Sequence, residues 1–450
     1  MSHNHYLVQK YKNKVNFGLD EFNTHPDLSF INGIAIFGEL VVLKDAQYFI
    51  DNNIKFIYPI PSLDSNLFYT KPPKLNIKIR NACNSGLCKV GIFFDSEGTE
   101  YGDPHFEWFK SFAKLNALNF TNFFFSHGNR ILADSYKKYL KGEEPAITIL
   151  KYSFFHDFPW FLYNKKAPTK IHIIEHCIKT LEHNRKIQKE KHFLCLNRVS
   201  RVSRLLMFAV IASNPKLESK SILTVGNLAN SPEPSNPHKF ISLNINLKGE
   251  KLTGQESNNI PARLQNFLNS YDWNKRKHVL DNFDDKNKAL SINLDFHKST
   301  FVNIVTETLQ SKETLFFSEK IFKPIYMLQP FILLCSPYSL RELKKLGYKT
   351  FDRWWDESYD EEENLISRVL KIEKILKKLS NLTPDELFAL TADMEETLIH
   401  NYSVLFFEPK QESLDYFNFL TFNTPLESSP VKKVIRPPIK KIKKNSLRII

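Results

Sequence analysis

Two stretches of the chain bring charged side chains to the ends of apolar runs, and both have the make-up of an anion site. In "CLNRVSRVSRLL" a strand-like run ends at Asn197-Arg198, and arginines recur at Arg198, Arg201 and Arg204 as a helical pattern begins. A strand that feeds a helix N-terminus offers free backbone N–H groups and the positive end of the helix dipole, and arginines add bidentate phosphate donors. In "IVTETLQSKETLFFSEKIFKPI" the order returns: a run ending at Glu307, a loop, then Glu319-Lys320 opening a helix. A carboxylate there can accept both hydroxyls of a ribose, and the adjacent lysine can neutralise a diphosphate. Asn197, Arg198, Arg204, Glu307, Glu319 and Lys320 together supply the polar groups that a nucleoside diphosphate requires. A plainer role fits the same residues: Arg201 and Arg204 as the solvated side of an amphipathic helix, and Glu319 as the acid that complements a helix dipole beside a solvated Lys320.

The surrounding pattern is that of α/β layers. In the first third, "INGIAIFGELVVL", "NIKFIYPI", "KVGIFFDSEG" and "NFTNFFFSHGN" read as strands, with a helix over "PHFEWFKSFAKLNAL" before the last. Runs such as "VGIFF" are continuous rather than alternating, as in strands covered on both faces. The segment 169–190 reads as a charged helix, after which the alternation restarts at "HFLCLN" and continues through "SILTVGN", "STFVNIVTET" and "PFILLCSP". The fold class expected is α/β, with two Rossmann-like domains built on parallel, doubly wound sheets. Residues 1–185 form the first domain, 186–400 the second, 401–429 a return segment and 430–450 a basic tail. Leucines and isoleucines over 362–380 fall on one helical stripe, and "LTPDEL" carries a capping box with Thr383 at the N-cap, Pro384 at the first helical position and Glu386 closing it.

Composition narrows the function. The chain has 450 residues, 42% of them hydrophobic, with 38 Phe against 13 Gly, which is globular. Five scattered cysteines fit reduced thiols in a cytoplasmic protein, and no apolar run reaches the length of a membrane span. Of the net charge of +13, eight come from residues 430–450, leaving about +5 for the body. Isoleucines and valines interleave with that basic tail, which suits peripheral contact with an anionic membrane at its inner face, or with nucleic acid. The glycine-rich phosphate loops, the G-x-S-x-G elbow and the H-E-x-x-H zinc motif are absent from the sequence. The acidic runs "DNFDDKNK" and "DESYDEEEN" lie in polar loop contexts, so no metal ligands are assigned.

The segment "TLFFSEKIFKPIYMLQPFILLCSP" resembles the donor-site motif of the α1,3-fucosyltransferases and the related exostosin-like glycosyltransferases, in which a Glu-Lys pair opens a helix and a Pro-led strand follows. The likeness extends through "SLRELKKLGYKTFDRWWDESYDE", which resembles glycosyltransferases of phage and bacterial origin, and spans about residues 190–400. It implies a GT-B fold in which the second domain holds the sugar nucleotide and the first holds the acceptor. It makes Glu319 a ribose ligand, Lys320 a diphosphate ligand and Arg198 a phosphate-binding arginine. In the first domain "IFFDSEGTEYGDPHFEWF" resembles the family segment bearing the general base, and Glu97 stands at that place; Asp95, Glu100 and His105 are its rivals. Where the next family strand usually ends in an acid, this chain has Ser126-His127-Gly128, leaving His127 as another base or an acceptor contact.

The resemblance therefore implies an inverting transferase that needs no metal and no cofactor beyond its donor. That donor is a nucleotide-diphosphate sugar, GDP-linked by preference, and the acceptor is a glycan hydroxyl. One base and cations for the departing diphosphate are the chemistry such a step requires. In the Phe-rich stretch "FFHDFPWFLYN", His156 and Trp160 are further acceptor-site candidates beside a core role. The alternatives are a nucleic-acid-binding protein gripping phosphates through its tail and arginines, or a transferase acting on DNA.

Overall fold

The computed structural model describes residues 15–20, 41–60, 70–94, 101–152, 154–157, 169–197, 201–225, 260–271, 292–408 and 410–423. The chain forms two compact units. The first comprises Met1–Phe158, Glu313–Phe317 and Pro409–Glu427, and the second Pro159–Lys312, Ser318–Glu408 and Ser428–Ile450. Both are α/β, each on an all-parallel sheet. Two Rossmann-like units followed by C-terminal helices are thus present, as the alternation of runs requires. The basic tail lies outside the described residues.

The first sheet has strands β1 (Val15–Leu19), β2 (Val41–Asp45), β3 (Phe56–Ile60), β4 (Cys88–Phe94), β5 (Phe123–His127) and β6 (Thr148–Lys151), in the order β2-β1-β3-β4-β5-β6. Its inner strands are buried along their length because helices such as Ile77–Asn84 and Asp103–Asn116 cover them. Much of that core is phenylalanine: Phe109 and Phe112 of the second helix pack on Phe123, and Phe93 meets Phe124 edge-on at 5.3 Å. Gly91 of β4 pairs with Phe124, whose ring lies where a Cβ would stand, so a larger residue at this strand position would have to displace that ring.

The second sheet has β7 (Lys191–Cys195), β8 (Ser221–Leu223), β9 (Thr300–Thr306) and β10 (Phe331–Leu334), in the order β10-β9-β7-β8. From β7 the chain first steps to β8 and later to β9 on the other side, so its direction of winding reverses between β7 and β9. Connections leave those two carboxyl ends to opposite sides and open a crevice, the place where such sheets take ligands.

The domain limits differ from those read off the sequence. The helix Lys170–Lys186, expected to close the first domain, belongs to the second unit: the His176 ring stacks on Tyr326 at 3.9 Å, and its Nδ1 lies 3.2 Å from the Tyr402 hydroxyl. The helix Pro384–Phe406 runs past residue 400 on the capping box expected of it, with the Glu386 N–H donating to Thr383 Oγ1 at 3.2 Å and the Thr383 N–H to Glu386 Oε2 at 2.7 Å. A further helix, Gln411–Leu420, returns to the first unit, where Glu412 holds the buried Arg130 through two bonds of 3.0 and 2.8 Å. Among the described residues no helix is long and apolar enough to cross a membrane.

Candidate functional site

At the reversal point of the second sheet the two strand ends are tied side by side. Leu194 pairs with Asn303 across β7 and β9, which sets Asn197 level with Thr306 three residues on. The Thr306 hydroxyl donates to Asn197 Oδ1 at 2.6 Å, and the Asn197 N–H donates to Thr224 Oγ1 at 2.8 Å. Asn197 Nδ2 points inward to the Cys195 sulfur at 3.4 Å. Asn197 is therefore buried and braces the crevice floor. Arg204 sits on the helix Val202–Ala212, whose residues Val202–Ile211 are all buried, so it is no solvated face of an amphipathic helix. Its Nη2 reaches the Thr306 carbonyl at 3.5 Å, which carries a guanidinium beneath the carboxyl ends of the strands. Arg198 lies outside the described residues.

After β9, Glu307, Ser318, Glu319 and Lys320 converge. Ser318 is the N-cap of the helix Glu319–Tyr326, and its side chain also locks the preceding strand: Ser318 Oγ donates to Glu307 Oε2 at 2.6 Å while the Ser318 N–H donates to Glu307 Oε1 at 3.1 Å. Lys320 Nζ lies 2.8 Å from Ser318 Oγ, 3.3 Å from Thr308 Oγ1, 3.2 Å from Glu319 Oε1 and 3.8 Å from Glu307 Oε2. Glu307 is wholly buried and Glu319 nearly so, whereas the Lys320 side chain is 26% exposed. Lys320 is thus the most accessible of the three side chains, and its ammonium is held among hydroxyls and carboxylates at the helix start.

Their environments push the two acids apart. Burial raises Glu307, against the pull of Lys320 and the Ser318 bonds. Burial also raises Glu319, but Lys320, Lys323 and a backbone N–H together hold it below the usual carboxylate range. A cation fixed by hydroxyls and carboxylates at a helix N-terminus is pre-organised for a phosphate oxygen. Neither acid presents an open face for a ribose: Glu307 acts through Ser318, and Glu319 through Lys320.

The loop that follows Glu307 is held by residues the sequence patterns do not single out. Gln310 Nε2 donates to the carbonyls of Glu307 and Leu334 at 3.3 and 3.1 Å. Arg368, buried on the helix Leu365–Leu379, donates to the carbonyls of Gln310 at 3.0 Å and Glu362 at 2.9 Å. In sequence it is one more cation on an amphipathic helix. Ser318, by contrast, carried a readable signal, a serine directly before an acid-led helix. The run "DESYDEEEN" is structural where it is placed: Asp360 accepts the Leu340 and Arg341 N–H groups at 2.9 and 3.3 Å, and Glu357 accepts the Phe351 N–H at 2.8 Å. "DNFDDKNK" lies outside the described residues.

In the first unit, His127 ends β5. It is buried, flat against Phe94 at 5.7 Å and edge-on to Tyr101 at 4.8 Å. Its Nδ1 accepts the Asn129 N–H at 2.8 Å, so in the neutral ring the proton sits on Nε2, which has no partner among the described residues. Burial lowers His127 to about 3, which keeps the ring neutral. It is consequently a hydrogen-bond donor, and the alternative of a base at Nε2 does not fit this tautomer. His105 is built alike: its Nδ1 accepts the Gly102 N–H at 3.1 Å, and burial lowers it. Glu97, Asp95, Glu100 and Trp160 lie outside the described residues. His156 is buried, and its carbonyl accepts from Lys410.

No family model matches this chain, and no curated protein sequence matches it. Among solved structures it is similar to an α,α-trehalose-6-phosphate synthase from Burkholderia multivorans, with 10% identity, a TM-score of 0.36, and coverage of 87% of this chain and 80% of that one.

Proposed function

We propose that the chain is a GT-B glycosyltransferase that moves a sugar from a nucleotide-diphosphate donor to a hydroxyl acceptor, with inversion. The observation that carries this reading is the Glu307–Ser318–Lys320 lock at the reversal point of the second sheet, which fixes one ammonium at a helix start. In the transfer, the acceptor oxygen bonds to the anomeric carbon as the bond from that carbon to the diphosphate breaks. The departing diphosphate gains charge, and Lys320, with Arg198, stabilises it. Arg204 and Asn197 support the crevice floor from below. The likeness of "TLFFSEKIFKPIYMLQPFILLCSP" to the fucosyltransferase motif favours a GDP-linked sugar and a glycan acceptor. It also assigns the base to Glu97 and the acceptor to the first unit, where the His127 Nε2–H is a donor for an acceptor oxygen.

A thermal-shift screen of the full chain against GDP, UDP, CMP and dTDP sugars tests the proposal. A nucleotide bound at 100 times its Kd stabilises by about 2.7 kcal/mol, a shift of a few degrees. One nucleotide family should stabilise the wild type and leave Lys320→Ala unshifted. If no sugar nucleotide shifts the protein while nucleic acid binds it in a salt-dependent way, the reading fails in favour of nucleic-acid binding.

A further inference from the structure

The amino end of the first sheet, opposite to the end that carries His127, holds a cavity with two lysines in its lining. Lys55 directly precedes β3, and Lys89 is the second residue of β4, roughly 17 Å from the end of that strand. Both line a cavity of about 380 Å³ roofed by the helix Gln411–Leu420 and the turn after it. The Lys89 ammonium donates to the Phe419 carbonyl at 2.7 Å and lies 3.6 Å from the Phe419 ring centre and 4.5 Å from that of Phe422. Lys55 lies 5.6 Å from the Phe422 ring centre. Among the described residues neither ammonium has a carboxylate within ion-pair distance, so two like charges share one concave wall. Burial, and to a lesser degree the neighbouring Lys55, lower Lys89 to about 8.

The rest of the lining is suited to a hydroxylated ligand. The Asn418 side chain lines the cavity, is 5% exposed, and its Oδ1 has no hydrogen-bond partner among the described residues. A small turn of the amide towards a ligand hydroxyl would satisfy that oxygen. The rings of Phe419 and Phe422 supply apolar wall, one side of each against the Lys89 ammonium, and their remaining surface suits the C–H side of a sugar. Lys89 spends one of its three N–H groups on the Phe419 carbonyl and keeps two. An exposed carboxylate, Asp415, stands at the rim and disfavours a second phosphate.

We propose that this cavity binds a small sugar or polyol monophosphate, with the phosphate on Lys55 and Lys89, a hydroxyl on Asn418 and the carbon skeleton on the two rings. The site is separate from the Lys320 site and independent of which donor that site takes. Titration calorimetry of the full chain with ribose 5-phosphate, ribose and inorganic phosphate tests it. Ribose 5-phosphate should bind saturably, inorganic phosphate at least about tenfold more weakly, and ribose without detectable heat. Removing one charge-assisted donor weakens binding about ten- to hundredfold, so Lys89→Gln and the exposed Lys55→Gln should each do so. Lys78→Gln, an exposed position on the helix Ile77–Asn84 outside the cavity lining, should bind as the wild type does. Equal affinity for ribose 5-phosphate and phosphate would overturn the sugar assignment. Unchanged binding in Lys55→Gln, or an equal loss in Lys78→Gln, would overturn the site.

Discussion

Replacing Ser318 with alanine removes one oxygen that serves three groups. Ser318 Oγ donates to the buried Glu307 at 2.6 Å, accepts from Lys320 Nζ at 2.8 Å and accepts the Lys320 N–H at 3.3 Å as an N-cap. Loss of a capping serine costs about 1 kcal/mol. A wholly buried carboxylate that loses a hydroxyl donor costs about 1.5–3 kcal/mol more, because no water replaces the bond. The terms share one atom, so Ser318→Ala should destabilise the second unit by about 3 kcal/mol. Ser318→Thr, which keeps the hydroxyl, should stay within about 1 kcal/mol of the wild type. Urea unfolding at pH 7 followed by tryptophan fluorescence reads this out, since Trp354 and Trp355 are buried in the same unit. The alanine variant should also bind donor about tenfold more weakly, because Lys320 loses its nearest oxygen. A Ser318→Ala protein within about 0.5 kcal/mol of the wild type would refute the lock as the element that orders this site.

Buried histidines make the fold acid-sensitive: burial lowers His176 and His297 to about 4 and His127 to about 3. The unfolded chain binds protons that these rings refuse, so their stability is present above pH 6.5 and is lost as the pH falls towards 4. For His176 alone that is about 3 kcal/mol, and His176→Phe, which keeps a ring on Tyr326, should flatten the stability curve by that amount between pH 7 and 4 in denaturant titrations. Glu357 has the opposite sign. Burial raises it to about 7, so its contribution is whole below pH 4.5 and is lost as the pH rises through 7. Glu357→Gln should remove about 3 kcal/mol of the fall in stability between pH 5 and 8.5, measured by the same titrations.

What the sequence made legible is local. Thr383, Pro384 and Glu386 signal their helix within four residues, and the continuous apolar runs of β5, β9 and β10 need only their own composition. β1 and β6 escaped because "VNFGL" and "TILK" are short and carry a glycine or partly exposed positions that blur the pattern. The polar groups around Lys320 were legible as residue types, but not in their roles. Glu307 and Ser318 are eleven residues apart and meet only when the strand and helix fold onto one sheet edge. Arg204 and Arg368 look like surface cations until tertiary packing buries them against carbonyl oxygens. The return of Gln411–Leu420 to the first unit depends on contacts hundreds of residues apart, such as Ser126 Oγ to the Tyr416 hydroxyl at 3.0 Å, which no local pattern encodes.

The most direct test is the release of nucleoside diphosphate from a sugar nucleotide by the full chain, followed by chromatography with and without added glycan acceptor. The wild type should release one nucleotide with preference over the others, and Lys320→Ala should lower that rate by about a hundredfold or more, the scale of losing one preorganised charge partner of the transition state. Release at an unchanged rate in Lys320→Ala would contradict the assignment of the site.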